Sequence, residues 1–392
     1  MNPGTRRGAA RWADPAPAPQ PRIDVLIPTA GRTAELAVTL AGLAAQQDPP
    51  FAVIISDQSE EGVDRAPAVC AMMRVLEAEG RPVELRRHLP RRGMAEQRQF
   101  LLDCASADRV LFLDDDVWLE PGALGRLDAA MSEAECGLVG YAVQGLSHLG
   151  DVRPEETERF EPWPHGQVAP ERVRPWLDAF ERWPLHNAAN PAHLARQQRL
   201  RDDDRLLYRI AWIGACVLFD RRALVEAGGF EFWRRLPPQH AGEDRVAQWR
   251  VMERAGGAGV LPSGAVHLEA PTTVTDRRVE VSDIVFPRPD ADPGPPPPDD
   301  DPDPSPPDPD PSPPDPDPEP SPRRKEALMP EQPNPVQIQK HLGGVDYPAS
   351  KQDLLRVAKD AGADQAVCDA LDGLPDREYD SPTAVSEQLG DS

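Results

Sequence analysis

The chain has 392 residues, of which 43 are basic and 66 acidic, so its formal net charge at pH 7 is −23. Phosphate binding along duplex DNA needs a basic face, so this balance excludes a duplex-DNA-binding protein, and we expect no nucleic-acid partner. Several strongly apolar stretches exclude a wholly disordered chain, and the length predicts two or three domains.

The first third of the chain alternates apolar strand patterns with helical patterns. Strands are predicted over residues 23–28, 51–57, 83–88 and 109–113. Helices are predicted between them, over residues 33–46, 66–79 and 93–105. Strands that alternate with helices of about 10 to 15 residues are typical of a parallel sheet with right-handed crossovers. We therefore expect an α/β fold with a parallel sheet.

Beyond this region the regular pattern weakens. Residues 144–206 are rich in Pro, Trp, His and Arg and predict an irregular insert with short helices. An apolar strand follows at 211–220, a helix at 243–255 and a short strand at 259–261. The sheet is therefore expected to continue after the insert.

A proline- and aspartate-rich segment then interrupts the chain. Residues 287–322 hold 19 of the 48 prolines and ten aspartates, and all four lysines of the chain follow this segment. Proline fixes φ and the carboxylates repel one another, which predicts an extended polyproline-type tether between two units. A ligand for a proline-recognising domain is the alternative. The predicted division is a disordered arm at 1–21, a large domain at 22–286, a linker at 287–333 and a small helical domain at 334–392.

The small C-terminal domain carries its own helix signals. Ser350–Asp353 resembles a capping box, in which a serine and an acidic side chain bind the first amides of a helix. Four short helices in about 59 residues would enclose only a small core. The domain resembles the small bacterial domain of unknown function 2795 at Asn334–Ile338, Gly344–Lys351 and Leu374–Pro382. This resemblance implies no activity, and binding of another protein is our hypothesis for it.

Targeting signals are not evident in the sequence. The longest apolar run, residues 210–219, is about half the length that a membrane-spanning helix needs. The N-terminus has no apolar signal core. The five cysteines are widely spaced and form no C-x-x-C pair, which argues against a zinc ribbon and a disulfide framework. We therefore expect a cytoplasmic protein without a transmembrane segment.

The strongest chemical signal is a run of three acids directly after the strand at 109–113. Asp114, Asp115 and Asp116 would lie at the carboxyl edge of a parallel sheet, where such sheets bind ligands. Three like charges this close are costly unless a cation relieves their repulsion. The residues alone leave open an exposed acidic turn.

Several stretches, in this order, resemble the landmarks of family 2 glycosyltransferases with the GT-A fold: Ile23–Thr29, Ile55–Ser59, Gly93 with Arg98, Phe112–Asp116 and Gly242–Asp244. The likeness spans about residues 22–270. It implies a Rossmann-like, nucleotide-diphospho-sugar transferase sheet and a hexosyltransferase-like enzyme. Such an enzyme moves a sugar from a nucleotide-sugar donor to an acceptor hydroxyl with inversion. Gln58 and Gln99 depart from the family pattern and leave the nucleotide open.

The resemblance also implies a divalent cation, Mn²⁺ or Mg²⁺, that stabilises the leaving diphosphate. It assigns Asp116 and Asp114 to the metal and suggests His267 as a further ligand. A single histidine is more often a structural residue than a metal ligand. His240, near Glu243 and Asp244, is a weaker candidate ligand than His267. On the nucleotide side the resemblance assigns Pro28, Thr29, Asp57, Arg98, Asp114 and Asp115.

Two of these donor-side residues have simpler explanations. Asp57 is equally explained as a turn residue at the end of a strand. Arg98 is equally explained as a helix-surface arginine that pairs with Glu96 or Asp103. The donor sugar and its nucleotide therefore stay open.

On the acceptor side, Asp244 is the candidate general base and Glu243 its orienting neighbour. A base here would take the proton of the attacking hydroxyl. The alternative is that both acids complement the dipole at a helix N-terminus. Trp212 is interpreted as either a stacking surface for a sugar ring or a core residue. The acceptor is expected to be a carbohydrate or a lipid-linked molecule.

Two rival functions follow from the same residues. The first is a non-catalytic protein that binds sugar nucleotides while its C-terminal domain engages a partner. The second is a nucleotidyltransferase, but residues 28–35 do not form the glycine-rich, basic phosphate loop that such enzymes use.

Overall fold

A computed structural model describes residues 12–13, 18–201, 204–272, 277–288, 349–360, 371, 374 and 378–379. The chain divides into two units, Met1–Pro298 and Asp299–Ser392. The predicted arm and tether, and the predicted helices of the small domain other than the one after Ser350, lie mostly or wholly outside the described residues.

The first unit consists of strands and helices in alternation. Its strands are β1 Ile23–Thr29, β2 Phe51–Asp57, β3 Val83–Arg87, β4 Arg109–Leu113, β5 Val117–Leu119, β6 Leu138–Gly140, β7 Leu206–Tyr208, β8 Cys216–Asp220, β9 Gly257–Leu261 and β10 Ala265–His267. Its α-helices are α1 Thr33–Ala44, α2 Pro67–Ala78, α3 Met94–Cys104, α4 Ala123–Ala134, α5 Asn190–Gln197, α6 Arg221–Glu226, α7 Glu243–Ala255 and α8 Val281–Val285. Short 3₁₀ helices cover Val63–Arg65, Leu146–His148, Pro154–Thr157, Pro164–Gly166, Asp178–His186 and Glu231–Arg235.

The main sheet has eight strands in the order β3-β2-β1-β4-β8-β6-β9-β7. The first four are parallel, as the sequence predicts. The other half is mixed, because β8 runs antiparallel to both β4 and β6, and β7 runs antiparallel to β9. The connection through helix α4 leads from β4 to β6, which runs parallel to β4 but does not pair with it. Strand β8, which follows the irregular insert, lies between these two strands. The α/β class is confirmed, and the parallel pattern that the first four strands predicted is present; the sequence made no prediction of strand direction in the mixed half.

Both faces of the sheet are covered, which explains why strand β1 is mostly apolar and why its one carboxylate, Asp24, accepts from the amides of Ser106 and Ala107. All seven residues of β1 are buried. Because side chains alternate along a strand, Val25 and Ile27 belong to the cluster that contains Leu36 and Leu40 of α1. Leu26 points into the opposite cluster, which includes apolar residues of α3 and α7.

Two short segments that the sequence did not predict position the site. Strand β5 follows the acidic triplet and pairs antiparallel with β10, so that Val117 lies opposite His267. Strand β8 begins at Cys216, five residues later than predicted, and residues 211–215 form an irregular wall. Among the described helices, none is both long and apolar enough to cross a membrane.

The second unit is described around helix α9, Lys351–Asp360. The predicted capping box is present: Ser350 Oγ lies 2.7 Å from Asp353 Oδ2, and the amide of Asp353 donates to Ser350 Oγ at 3.3 Å. Two-residue strands β11 Ala349–Ser350 and β12 Glu378–Tyr379 pair antiparallel. This small sheet was not expected in an all-α domain.

Candidate functional site

A cleft of about 470 Å³ lies at the carboxyl edge of β1 and β4. Nine of the ten predicted site residues line it: Pro28, Thr29, Arg98, Asp114, Asp115, Asp116, Glu243, Asp244 and His267. Asp57 is not part of this lining. The fold therefore brings together residues as far apart in the sequence as Pro28 and His267.

Asp115 holds the floor of the cleft together. Thr29 Oγ1 donates to Asp115 Oδ2 at 2.7 Å, and Arg32 Nη1 donates to its other oxygen at 3.2 Å. The carbonyl of Asp115 accepts from Thr39 Oγ1 at 2.8 Å. Burial raises the pKa of Asp115 to about 6, although the bonds from Thr29 and Arg32 oppose this rise. These contacts fix the acidic triplet to the end of β1 and the start of α1.

Asp116 is the member of the triplet that meets His267. Its Oδ2 lies 3.5 Å from His267 Nε2 and 2.5 Å from Arg32 Nη1. Burial raises the pKa of Asp116, while His267 and Arg32 act in the opposite direction. The amide of Glu269 donates to His267 Nδ1 at 2.8 Å, so a neutral His267 ring carries its proton on Nε2, toward Asp116.

Asp114 pairs with an arginine that also reaches helix α7. Arg98 Nη2 donates to Asp114 Oδ1 at 3.0 Å, and Arg98 Nε donates to Glu243 Oε1 at 3.1 Å. Burial alone would lower the pKa of Arg98, but the surrounding carboxylates, Asp114 first, raise it. Arg98 therefore stays charged and links the two sets of acids.

The surface pairing considered for Arg98 is wrong. Arg98 is buried, and the two proposed partners are engaged elsewhere. Glu96 lies 2.9 Å from His88 Nε2, and Asp103 accepts from Gln99 Nε2 at 2.8 Å.

Glu243 and Asp244 open helix α7, which begins after Gly242. Gly242 has φ of 84°, a left-handed conformation that favours glycine. Burial raises the pKa of Asp244 to about 6, Glu243 adds to the rise, and Arg98 and Arg245 oppose it. The pair therefore occupies the helix N-terminus, as one interpretation expected, and also faces the cleft, as the other requires.

Asp57 is engaged by its own turn. Its carboxylate accepts from the amides of Ser59 at 2.8 Å and Val63 at 3.0 Å, and from Arg87 Nη1 at 2.9 Å. Burial would raise the pKa of Asp57, but these bonds outweigh burial and lower it. This geometry matches the turn interpretation, and nucleoside binding by Asp57 stays a prediction.

His240 packs against the start of helix α3 and does not reach the acids. Its Nε2 accepts from the amide of Ala95 at 3.1 Å, and its Nδ1 lies 2.8 Å from the carbonyl of Pro237. Gly93 precedes this helix with φ of 103°, and a Cβ there would lie 2.5 Å from the His240 ring. His240 is therefore a structural residue, which satisfies one of the free amides of the helix.

Two family models match the sequence. The model described as Glycosyl transferase family 2 matches residues 24–186, and the model described as Protein of unknown function (DUF2795) matches residues 333–386. Residues 24–186 are therefore similar to glycosyl transferase family 2. The predicted fusion is confirmed, and the chain carries a glycosyltransferase domain. Glu243, Asp244 and His267 lie beyond the matched residues, so their assignment depends on the shared cleft.

Solved structures of glycosyltransferases are also similar to the chain. S. aureus TarS 1-349 is 14% identical with a TM-score of 0.40, over 62% of this chain and 59% of that one. Mannosyltransferase PcManGT from Pyrobaculum calidifontis, in complex with GDP-Man and Mn²⁺, is 18% identical with a TM-score of 0.41, over 68% and 64%. The chain thus spans less than two thirds of either structure. No curated protein matches the sequence.

The cleft also contains residues that sequence reasoning missed. Arg32, Arg245 and Glu280 line it, and Arg32 Nη2 also donates to the carbonyl of Pro271. Gln97 lines it as well and donates to the carbonyl of Ser56 at 2.9 Å. Arg32 lies three positions after Thr29, and a cation that close to a predicted nucleotide-binding strand was a usable signal.

The donor groups near Asp116 suit a shared cation. Oδ2 of Asp116 and Nε2 of His267 are 3.5 Å apart, so these two side chains would hold a cation once Arg32 releases the same Asp116 oxygen. His267 would have to move its proton and give up the bond from Glu269 to bind in this way. Among the described residues, no three His, Cys, Asp or Glu side chains converge on one point. A protein that supplies one or two ligands and leaves the rest to phosphate and water is the usual arrangement for Mg²⁺.

Proposed function

We propose that the domain transfers a sugar from a nucleotide-sugar donor to an acceptor hydroxyl, with inversion and with the help of a divalent cation. Sugar transfer is the activity of the matched family. The observation that carries the finer proposal is the single cleft that holds Asp114–Asp116 on one side and Glu243–Asp244 on the other. One side suits a leaving diphosphate, and the other suits an attacking hydroxyl.

The donor side is proposed to bind the nucleotide diphosphate. Asp116 and His267 would hold Mn²⁺ or Mg²⁺, and Asp114 would face a water bound to that ion, as the family resemblance implies; the ion, when bound, stabilises negative charge on the departing phosphate. Arg32 lines the same region and is positioned by Asp115 and Asp116. Pro28 and Thr29 would contact the nucleoside, as the family resemblance implies.

The acceptor side is proposed to supply the general base. The acceptor oxygen bonds to the anomeric carbon as that carbon loses its bond to the phosphate oxygen, whose electron pair leaves with the diphosphate. Asp244 takes the acceptor proton. Glu243 is bound to Arg98, which leaves Asp244 as the carboxylate available for this proton. A single displacement by an acceptor on the face opposite the leaving group inverts the anomeric centre.

The test compares the full-length chain with its Asp116→Ala and Asp244→Ala variants. UDP-glucose, UDP-GlcNAc and GDP-mannose are offered with Mn²⁺ or Mg²⁺, and binding, hydrolysis and transfer are measured. We expect Asp116→Ala to lose donor binding and Asp244→Ala to keep binding but lose turnover. Asp151→Asn, at an exposed ion pair away from the cleft lining, is the control.

Two outcomes would contradict the proposal. Donor binding without turnover for every donor and acceptor class would instead indicate a sugar-nucleotide-binding protein. Unchanged metal dependence in Asp116→Ala would remove Asp116 from the cation site.

The acceptor, location and partners complete the proposal. We propose a carbohydrate or lipid-linked acceptor and a protein-binding role for the DUF2795 region. A cytoplasmic location is supported by the four described cysteines, which all carry free thiols.

A further inference from the structure

The backbone at 211–213 is held in place by side chains of helix α7. The amide of Ile213 donates to Gln248 Oε1 at 2.8 Å, and Gln248 Nε2 donates back to the carbonyl of Ile213 at 2.7 Å. Trp249 Nε1 donates to the carbonyl of Ala211 at 2.8 Å. These three bonds hold the residues on both sides of Trp212, and we call them the bracket.

The bracket replaces the bonds that a sheet would have supplied. Strand β8 begins only at Cys216, and Ala215 before it adopts φ of 70°. Gln248 and Ile213 are both fully buried, so backbone groups of Ile213 without partners would be costly. Gln248 satisfies the amide and the carbonyl together and thereby fixes the path of this segment.

The bracketed residue faces the cleft. Trp212 lines it and stacks against Phe180, with ring centroids 5.7 Å apart and an angle of 25° between the rings. The Arg245 guanidinium lies 5.3 Å from the Trp212 ring centroid and pairs with Glu280. We call Trp212, Arg245 and Glu280 the acceptor wall. An indole beside a guanidinium and a carboxylate offers apolar surface for the C–H groups of a sugar and polar groups for its hydroxyls.

Helix α7 carries both the proposed base and the bracket. Gln248 follows Asp244 by four positions, so the two lie one turn apart on the same helix face. We propose that Gln248 is a positioning residue that sets the distance between Asp244 and the acceptor wall, and that this wall binds a pyranose ring of a carbohydrate acceptor. The inference rests on the proposed function, because it assigns the acceptor side of that same cleft.

Gln248→Leu tests the bracket, and Gln46→Leu is its matched control. Gln46 is also buried; its Nε2 donates to the carbonyls of Gly42 and Glu120 at 2.9 and 3.0 Å, and its Oε1 accepts from Leu124. It lies outside the cleft lining, so both variants remove a buried glutamine bracket but only one affects the acceptor wall. Gln248→Glu, which retains the bond from the Ile213 amide, provides a milder second variant in case Gln248→Leu fails to fold.

The first readout is saturation-transfer NMR with methyl β-D-glucopyranoside, methyl α-D-mannopyranoside and methyl N-acetyl-β-D-glucosaminide, with glycerol as the ring-free probe. In the full chain with Mn²⁺ replaced by Mg²⁺ and a nucleoside diphosphate present, we expect ring protons of at least one glycoside to receive saturation. Trp212→Ala abolishes this signal, Gln248→Leu weakens the glycoside affinity by at least about tenfold, and Gln46→Leu leaves it unchanged. Glycosides that bind no better than glycerol, or equal losses in Gln248→Leu and Gln46→Leu, would overturn the inference.

The second readout separates this inference from the proposed function. For the glycoside that binds, we expect Gln248→Leu to raise the acceptor KM more than it lowers the rate of donor hydrolysis. If the wild-type chain hydrolyses donor and Gln248→Leu changes the acceptor KM and the donor hydrolysis rate by the same factor, the positioning role of Gln248 is contradicted and the proposed function is not. A wild-type chain that neither hydrolyses nor transfers any donor contradicts the proposed function, and the NMR result then decides the wall separately.

Discussion

The donor and acceptor sides of the cleft are built by different kinds of bond. On the donor side, Thr29 ends β1 and the acidic triplet ends β4, and paired parallel strands place both. On the acceptor side, Trp212 lies in an irregular segment that Gln248 and Trp249 bind through their side chains. On the donor side the side-chain bonds from Thr29 and Arg32 to Asp115 add to a strand ladder, whereas on the acceptor side the side-chain bonds take the place of a ladder. The acceptor side can therefore change with few substitutions while the sheet is kept.

Helix α3 joins the two sides. Arg98 bonds to Asp114 on the donor side and to Glu243 on the acceptor side. The amide of Ala95 donates to His240, which lies just before helix α7. We call these contacts of helix α3 with Asp114, Glu243 and His240 the seam. They couple the position of the acidic triplet to that of the proposed base.

The largest effect is expected on the acceptor side, from Asp244→Asn. Loss of a general base lowers the transfer rate by about 10² to 10⁴, and donor affinity should stay within about twofold. Steady-state transfer rates and donor titrations measure the two quantities. A comparable loss of donor affinity would show that the two sides are not separate.

The same base predicts a pH dependence of transfer. Burial and Glu243 raise the pKa of Asp244 to about 6, and only the ionised carboxylate can accept a proton. The rate should therefore be constant above this value and fall about tenfold per pH unit below it. A profile of transfer between pH 4.5 and 8, with donor saturating, tests this expectation, and a flat profile would exclude Asp244 as the titrating base.

The next effect concerns the seam, at Arg98. Arg98→Met leaves the buried Glu243 without its partner, which should lower the free energy of unfolding by about 3 kcal/mol, with Asp114 contributing less because it is partly exposed. Urea unfolding measures the loss. Arg222→Met removes an exposed pair with Glu226 and serves as the control, with an expected change within about 0.5 kcal/mol. Equal changes in the two variants would show that the seam adds no stability.

A smaller loss is expected at the start of helix α3. In Gly93→Ala the residue must keep φ of 103°, and its Cβ would lie 2.5 Å from His240 and 2.7 Å from the carbonyl of Pro238. We expect a loss of about 2 kcal/mol in unfolding free energy. Gly150→Ala is the control, because a Cβ there meets nothing within 4 Å. Thermal unfolding of both variants gives the difference, and a Gly93→Ala variant as stable as the control would contradict the close approach.

The smallest effect is expected on the donor side, at Asp57. Asp57→Asn weakens the bonds from Ser59, Val63 and Arg87, and should cost about 1.5 kcal/mol at pH 7. The folded pKa of Asp57 lies below its ordinary value of 3.8, so its stabilisation is present above that value and is lost as the pH falls through the folded pKa. Wild type and variant should therefore converge in stability as the pH falls through the folded pKa of Asp57. A raised donor KM with unchanged stability would instead support the nucleoside-binding role.

Periodicity and local signals were sufficient for the bounds of several elements on both sides of the cleft. The bounds of β2, β4 and helix α7 agree with the predicted ones, because apolar runs bounded by polar residues encode them locally. Strand β5 was missed because three residues carry no period. The direction of β8 was not predicted because a long insert does not reveal the sense in which the chain returns.

The sequence predicted the ends of strands better than it predicted which side chains are in contact. The sequence suggested pairs within reach along a helix, such as Arg98 with Glu96 or Asp103. The actual partners of Arg98 are Asp114 and Glu243, the latter 145 positions away. Long-range pairs of this kind depend on the packing of α3 against α7, which no local pattern reports.

The sequence by itself determined the α/β class, the fusion with a DUF2795 region and the acids at the carboxyl edge of the sheet. These features depend on local runs and ordered motifs. The tertiary structure alone decided that Asp57 binds its own turn, that Arg98 bridges two sets of acids, and that Gln248 brackets Trp212. Each of these depends on which buried polar groups find partners after the chain has packed, and that choice is made by three-dimensional proximity.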